Sequence, residues 1–185
     1  GVASKGRWLF GTGYDLSKLC VIDMDNGYKQ KHEYNFPDAF SRIEGFHYDG
    51  TYHGEALTVG TDGYLYALFY INKGSGYTEY YESVVVQFQI DDANGELTFE
   101  NYVTVGKNSF TLDLYDNKLY VCSLGGMQNA GTGNADTNLC IVDTNNFEQS
   151  GVTTVQIQNP AQNGDIRDIS IIDPNHVYIF AGHYD

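Results

Sequence analysis

The sequence predicts an all-β fold, and three observations predict it. The 185-residue chain carries 16 Tyr and 10 Phe, residue types that suit a pleated, half-buried surface. Its 21 Gly supply the tight turns that many short strands need. A turn followed by an aromatic-aliphatic strand recurs at intervals in the fifties, and self-similarity of that period marks propellers or solenoids. Together these give a β-propeller of four-stranded antiparallel blades, present as an incomplete arc of about three blades.

Four stretches carry the repeat: "SKGRWLFGTGYD", "GTDGYLYALFYIN", "LYDNKLYVCSLGG" and "IDPNHVYIFAGHYD". Phe10, Ala67, Val121 and Phe180 are taken as equivalent, with Trp8 set against Tyr178. In the third copy, Asp116-Asn117 separates two apolar arms and predicts a two-residue hairpin turn. After the first three copies comes an apolar strand ending in Asp, then an Asn-containing turn. These are "KLCVIDMDNGYK", "VVVQFQIDDANGELTF" and "NLCIVDTNNFEQ". The outer strands are expected in "KHEYNF", "ELTFENYVTV" and "VTTVQIQ".

No helix is expected between these strands, and "GYTEYYESVVV" is read as a long loop. Residues 1–6 read as the tail of a first strand and its turn. Blade pieces are expected near 1–40, 54–107, 108–160 and 165–185. Such an excerpt is expected to pack against the remaining blades of the same propeller or another chain, because blades bury their faces on neighbours.

Net charge is −14 with ten Lys plus Arg, so nucleic acid is excluded as a partner for want of a basic footprint. No apolar run reaches the ~20 residues that a membrane-spanning helix needs, so membrane insertion is not expected. The acidity fits a secreted, periplasmic or cell-surface setting. Three Cys is an odd count. Cys122 and Cys140 lie on the two arms of an expected hairpin, where one reading is a disulfide and the other is small buried hydrophobes.

The segment "LYVCSLGG…NLCIVDTNNFEQSGVTTV" resembles the YVTN-type propeller repeat. Leu19-Cys20-Val21-Ile22-Asp23 and Leu139-Cys140-Ile141-Val142-Asp143 carry that match. "VGTDGYLYALFYINKGSG" is similar to the repeat of pyrroloquinoline-quinone enzymes. The resemblance implies propeller architecture and leaves function open, since such repeats serve binders, surface proteins and oxidoreductases alike.

Among functional signatures the chain lacks G-x-S-x-G, a Walker loop and a dinucleotide fingerprint. "DMDNG" at 23–27 reads as a turn, because Tyr34 stands where a calcium loop needs its Glu. The Asn/Gly/Asp-rich segment 129–138 is the one candidate calcium loop, and no organic cofactor is expected. His47, His53 and His183 fall on one expected rim without a fixed metal-ligand spacing.

That rim is also rich in aromatic residues, and the expected binding set is Tyr14, His47, Tyr48, Tyr52, His53, Tyr77, Tyr80, Tyr81, Arg167 and His183. Tyr combines contact area with a hydroxyl at small entropic cost, which suits a glycan or protein ligand. Arg167, entering the fourth inner strand, either points to the channel or pairs with Asp165 or Asp168. The functional expectation is a non-catalytic recognition or scaffolding module. The alternative is a propeller enzyme, a quinoprotein-like oxidoreductase or a hydrolase or lyase, acting at the channel mouth.

Overall fold

The computed structural model describes residues 1–13, 16–36, 38, 49–73, 79–125, 137–157, 164–173 and 175–183. The first sheet contains β1 (Val2–Lys5), β2 (Trp8–Gly13), β3 (Leu16–Asp23) and β4 (Lys29–Asn35). The second contains β5 (Gly50–Val59), β6 (Leu65–Lys73), β7 (Glu82–Ile90) and β8 (Leu97–Lys107). The third contains β9 (Ser109–Tyr115), β10 (Lys118–Ser123), β11 (Asn138–Asp143) and β12 (Val152–Gln156). A two-stranded fourth sheet pairs β13 (Gly164–Asp173) with β14 (His176–His183). Every sheet is an antiparallel meander in chain order.

The turns explain why the chain folds back where it does. Asp116 and Asn117 have φ of 47° and 58°, the paired positive angles of a hairpin turn whose twist matches its strands. The Asp that closes each third strand has a structural task. Its carboxylate accepts the backbone N–H two residues on: Asp23 from Asp25 at 3.1 Å, Asp91 from Ala93 at 2.8 Å, Asp143 from Asn145 at 2.9 Å. This local bond competes with strand continuation and starts the turn. After β11 the chain makes two single-turn 3-10 helices, Thr144–Asn146 and Gln149–Gly151, before β12.

The sheets stack in sequence order, and their first strands run against one another: β1 with β5, β5 with β9, β9 with β13. That row of first strands is the inner edge of a radial, blade-like arrangement. The arc is not closed into a ring. Three dry clusters fill the spaces between successive sheets. Trp8, Phe10, Leu19 and Val21 of the first sheet meet Leu65, Ala67, Val84 and Val86 of the second. Tyr66, Leu68 and Val85 on the reverse of the second meet Leu119, Val121, Cys140 and Val142. Tyr120, Cys122 and Leu139 on the reverse of the third meet Ile169.

Four sequence expectations are corrected by these facts. Phe10, Ala67, Val121 and Phe180 all lie on second strands but are not equivalent. Phe10 faces the following sheet, whereas Ala67 and Val121 face the preceding one. A one-residue shift reverses the face of every side chain, so alignment by aromatic content alone missed the pleat. Cys122 and Cys140 do not face each other either: Val121 is opposite Cys140 and Cys122 opposite Leu139. The two thiols therefore lie in different clusters, and all three Cys are free. Finally, Phe36 and Asp38 have helical backbone after β4, where no helix was expected. Beyond the β6 end, Lys73 N–H donates to Glu79 O and Tyr81 N–H to Ile71 O, so residues 79–81 extend the hairpin rather than a loop.

Candidate functional site

Three of the four inner strands share one irregularity. Each of β5, β9 and β13 carries a bulge opposite its second strand, leaving one residue unpaired. In β5, Gly54 is opposite Phe69 and Ala56 opposite Leu68, so Glu55 is left over. In β9, Ser109 is opposite Ser123 and Thr111 opposite Cys122, which leaves Phe110. In β13, Ile166 is opposite Ala181 and Asp168 opposite Phe180, which leaves Arg167. Bulges of this kind re-aim a side chain and concentrate beside binding sites. Because these three strands are neighbours, the bulged positions 55, 110 and 167 form a row along the inner edge.

Glu55 is the chemically distinctive member. Its Oε1 is fully buried and has no hydrogen-bond partner among the described residues. Burial pushes its carboxyl up to about 7, and the nearby Gly1 ammonium pulls the other way. A carboxyl near neutrality can both donate and accept a proton in a hydrogen bond. Gly54 lets the first sheet approach β5 closely, since a Cβ there would collide with Thr12.

Beside Glu55 lies an aromatic stack that ties the second sheet to the third. His53 lies flat on Tyr70 at 4.5 Å between centroids, and Tyr70 stacks on Phe110 at 5.7 Å. Tyr80 meets Tyr70 edge-on at 5.7 Å, and His53 Nε2 is 2.8 Å from Asn72 Oδ1. Next to it a buried serine cluster crosses the same gap. Ser109 N–H donates to Ser83 Oγ at 3.0 Å, and Ser109 Oγ is 2.7 Å from Ser123 Oγ. Asn108, with φ of 54°, leaves its buried Oδ1 without a partner among the described residues.

The expected rim residues separate into three groups. Tyr52, His53 and Tyr80 are buried, 4%, 3% and 7% exposed, and so are not rim contacts. Tyr52 packs toward the first sheet, and His53 and Tyr80 belong to the stack just described. Their rings gain more from burial between sheets than from water, which the polar tip of Tyr or His hides from a sequence reading. Tyr81 is half-buried, with Lys73 Nζ 4.7 Å above its ring. Tyr14, His47, Tyr48 and Tyr77 lie outside the described residues, as does nearly all of the 129–138 segment. Arg167 and His183 have described backbone only, on β13 and β14. Among the described residues no three of His, Cys, Asp and Glu group as a metal site.

Sequence reasoning missed Glu55 and the serine cluster. "HGEAL" gives no bulge signal except Gly54, and "KNSFTLD" looks like an ordinary strand entry.

No family model matches the chain, and no curated protein matches it. Among solved structures, the glutaminyl cyclase of Myxococcus xanthus is similar, at 13% identity and a TM-score of 0.45. The match covers 98% of this chain and 66% of that one, so the chain spans a little under two thirds of its length. A likeness of this size transfers neither site nor chemistry.

Proposed function

We propose that the chain is a blade-forming part of a β-propeller that works as a rigid, non-catalytic recognition scaffold. Its ligand end is the inner-strand row of positions 55, 110 and 167, in place of the Tyr-rich rim. The observation that carries this reading is the buried Glu55 carboxyl oxygen that lacks a hydrogen-bond partner among the described residues. Leaving a buried acceptor unmade costs about 1–3 kcal/mol, and a ligand donating a hydrogen bond recovers it. The stiffness comes from the sheets on either side, which hold Glu55 and Phe110 on neighbouring strands.

The finer parts of the reading rest on the sequence. They are a YVTN- or quinoprotein-type repeat, a secreted, periplasmic or cell-surface setting, a glycan or protein ligand, and a calcium loop at 129–138. A second reading, an enzyme acting at the same place, has one observation in its favour. A carboxyl near 7 is suited to general acid–base transfer at neutral pH.

The test is binding of the chain and of Glu55→Gln to a glycan array and a peptide array, at pH 7. The expected result is retention on one class, weakened about tenfold in the variant, which is one charge-assisted hydrogen bond. Retention on neither array, or equal binding by the variant, overturns the assignment of the site. Turnover of the retained ligand by the parent chain and not by Glu55→Gln moves the conclusion to the enzyme reading.

A further inference from the structure

Three Asn-Gly pairs occur in the chain: Asn26-Gly27, Asn94-Gly95 and Asn163-Gly164. An Asn side chain followed by Gly is open to attack by the next main-chain nitrogen, because no Cβ shields that nitrogen. The first two pairs occupy equivalent places, the β3–β4 and β7–β8 turns that the Asp of each third strand begins. Asn163 lies outside the described residues. The two equivalent turns differ in how firmly they hold the reacting atoms.

The β7–β8 turn holds them fast. Gly95 N–H donates to Asp91 O at 2.8 Å, so the proton of the attacking nitrogen is engaged. The Asn94 side chain is fixed by its Oδ1, which accepts Glu96 N–H at 2.7 Å. The Asn94 carbonyl oxygen is 3.1 Å from His32 Nε2, and the Trp8 ring lies against Gly95. Ring closure here would break two hydrogen bonds and displace an indole.

The β3–β4 turn leaves the same atoms free. Asn26 and Gly27 are both exposed, and a Cβ built on Gly27 would meet nothing within 4 Å. Among the described residues, neither the Gly27 N–H nor the Asn26 carboxamide has a hydrogen-bond partner. The turn is anchored at its base, where Asp23 accepts Asp25 N–H at 3.1 Å and pairs with Arg7. Its tip makes few contacts of its own.

We infer that Asn26 is a site of spontaneous covalent modification, converting to isoaspartate with water as co-reactant, while the fold protects Asn94. The Gly27 nitrogen loses its proton to solvent and bonds to Asn26 Cγ. The Cγ–Nδ2 bond breaks, and the nitrogen takes a proton from solvent and leaves as ammonia. Water then opens the cyclic imide at its main-chain carbonyl, which reroutes the chain through Cγ and frees a carboxylate. A neutral amide thus becomes an anion in a turn that already holds Asp23 and Asp25. This inference rests on the turn and not on the ligand reading, so neither depends on the other.

The test is peptide mapping by mass spectrometry after weeks at neutral pH in water carrying heavy oxygen. Fragmentation at the N–Cα bond separates isoaspartate from aspartate. Asn26 is expected to exchange its amide nitrogen for one heavy oxygen, mainly as isoaspartate. In the folded chain it should react at least about tenfold faster than Asn94, about 1.4 kcal/mol in barrier and of the order of one hydrogen bond. In a parallel sample unfolded in guanidinium chloride, the two sites are expected to react at nearly equal rates. A folded chain in which Asn26 stays an amide, or in which Asn94 converts as fast, overturns the inference. A preference for Asn26 that is as large in the unfolded sample overturns it too, since the fold would not be its cause.

Discussion

The indole Nε1–H of Trp8 donates to the carbonyl oxygen of Asp92 at 3.0 Å, joining the first sheet to the β7–β8 turn of the second. Gly95 closes that turn with φ of 76°, and a Cβ there would lie 2.7 Å from the Trp8 ring. Backbone angle and close approach both require glycine here. The contact is the seal of the first inter-sheet core, since Trp8 is 2% exposed and Arg7 covers its ring at 4.8 Å.

Trp8→Ala should therefore cost about 3–5 kcal/mol, and Trp8→Phe about 1 kcal/mol for the hydrogen bond plus some packing. Gly95→Ala should cost about 1–2 kcal/mol for the backbone alone. Urea unfolding followed by circular dichroism measures all three. Because Trp8 is the single Trp, a displaced ring in Gly95→Ala should also red-shift the native emission. An unshifted emission with unchanged stability would show that the turn does not clamp the indole.

Glu55 sets a pH dependence of definite sign. Its carboxyl is raised from the ordinary 4.5 to about 7 by burial, so the folded chain holds a proton that the unfolded chain has released. The associated stability is complete below 4.5, falls as pH rises between 4.5 and 7, and is absent above 7. Part of the group still meets water, so the loss is about 1–2 kcal/mol. Melting temperatures of Glu55→Gln and the parent should coincide near pH 4 and separate by pH 8, with the variant higher. Parallel curves across that range would mean that Glu55 titrates as an exposed residue.

Much of the scaffold was legible because its signals are local. Asp116-Asn117 and the Asp at each third-strand end need only a few residues to declare a turn, and the repeat multiplies the evidence. What the sequence hid was the choice of face. Ala67 and Val121 sit in the same turn-and-strand context as Phe10, yet one pleat step separates preceding from following sheet. The same ambiguity placed His53 and Tyr80 on a wet rim, since a ring with a polar tip satisfies either environment. Glu55 was hidden for a different reason. A bulge depends on the partner strand's register, and no residue of β5 alone encodes that.

Asp23 should set the acid limb of stability. Arg7 Nε–H donates to its Oδ1 at 3.0 Å, Arg7 Nη2 donates to its Oδ2, and Asp25 N–H adds a third bond. The Arg7 hydrogen bond is the main cause holding this carboxyl below its ordinary 3.8. The stability it brings is present above 3.8 and is lost as pH falls through the lower folded value. Asp23→Asn should lower the urea midpoint at pH 6 and flatten its fall between pH 4 and 2. An unchanged acid limb would assign that limb to other carboxylates. Arg7→Lys should be only a partial substitute, because an ammonium cannot offer the two-pronged geometry.

The thiols report the register of the third sheet. Cys122 and Cys140 are 1% and 2% exposed, and burial pushes the Cys122 thiol up to about 12. Reaction with a thiol reagent needs thiolate and access, and Cys122 has neither. Cys20 is half-buried on the outer face of the first sheet and is also raised, mainly by burial. In the folded chain at low concentration, one thiol should react slowly and two only after denaturation, with the same count with or without prior reductant. A count of one after denaturation without reductant would reveal a disulfide and contradict the Val121–Cys140 register.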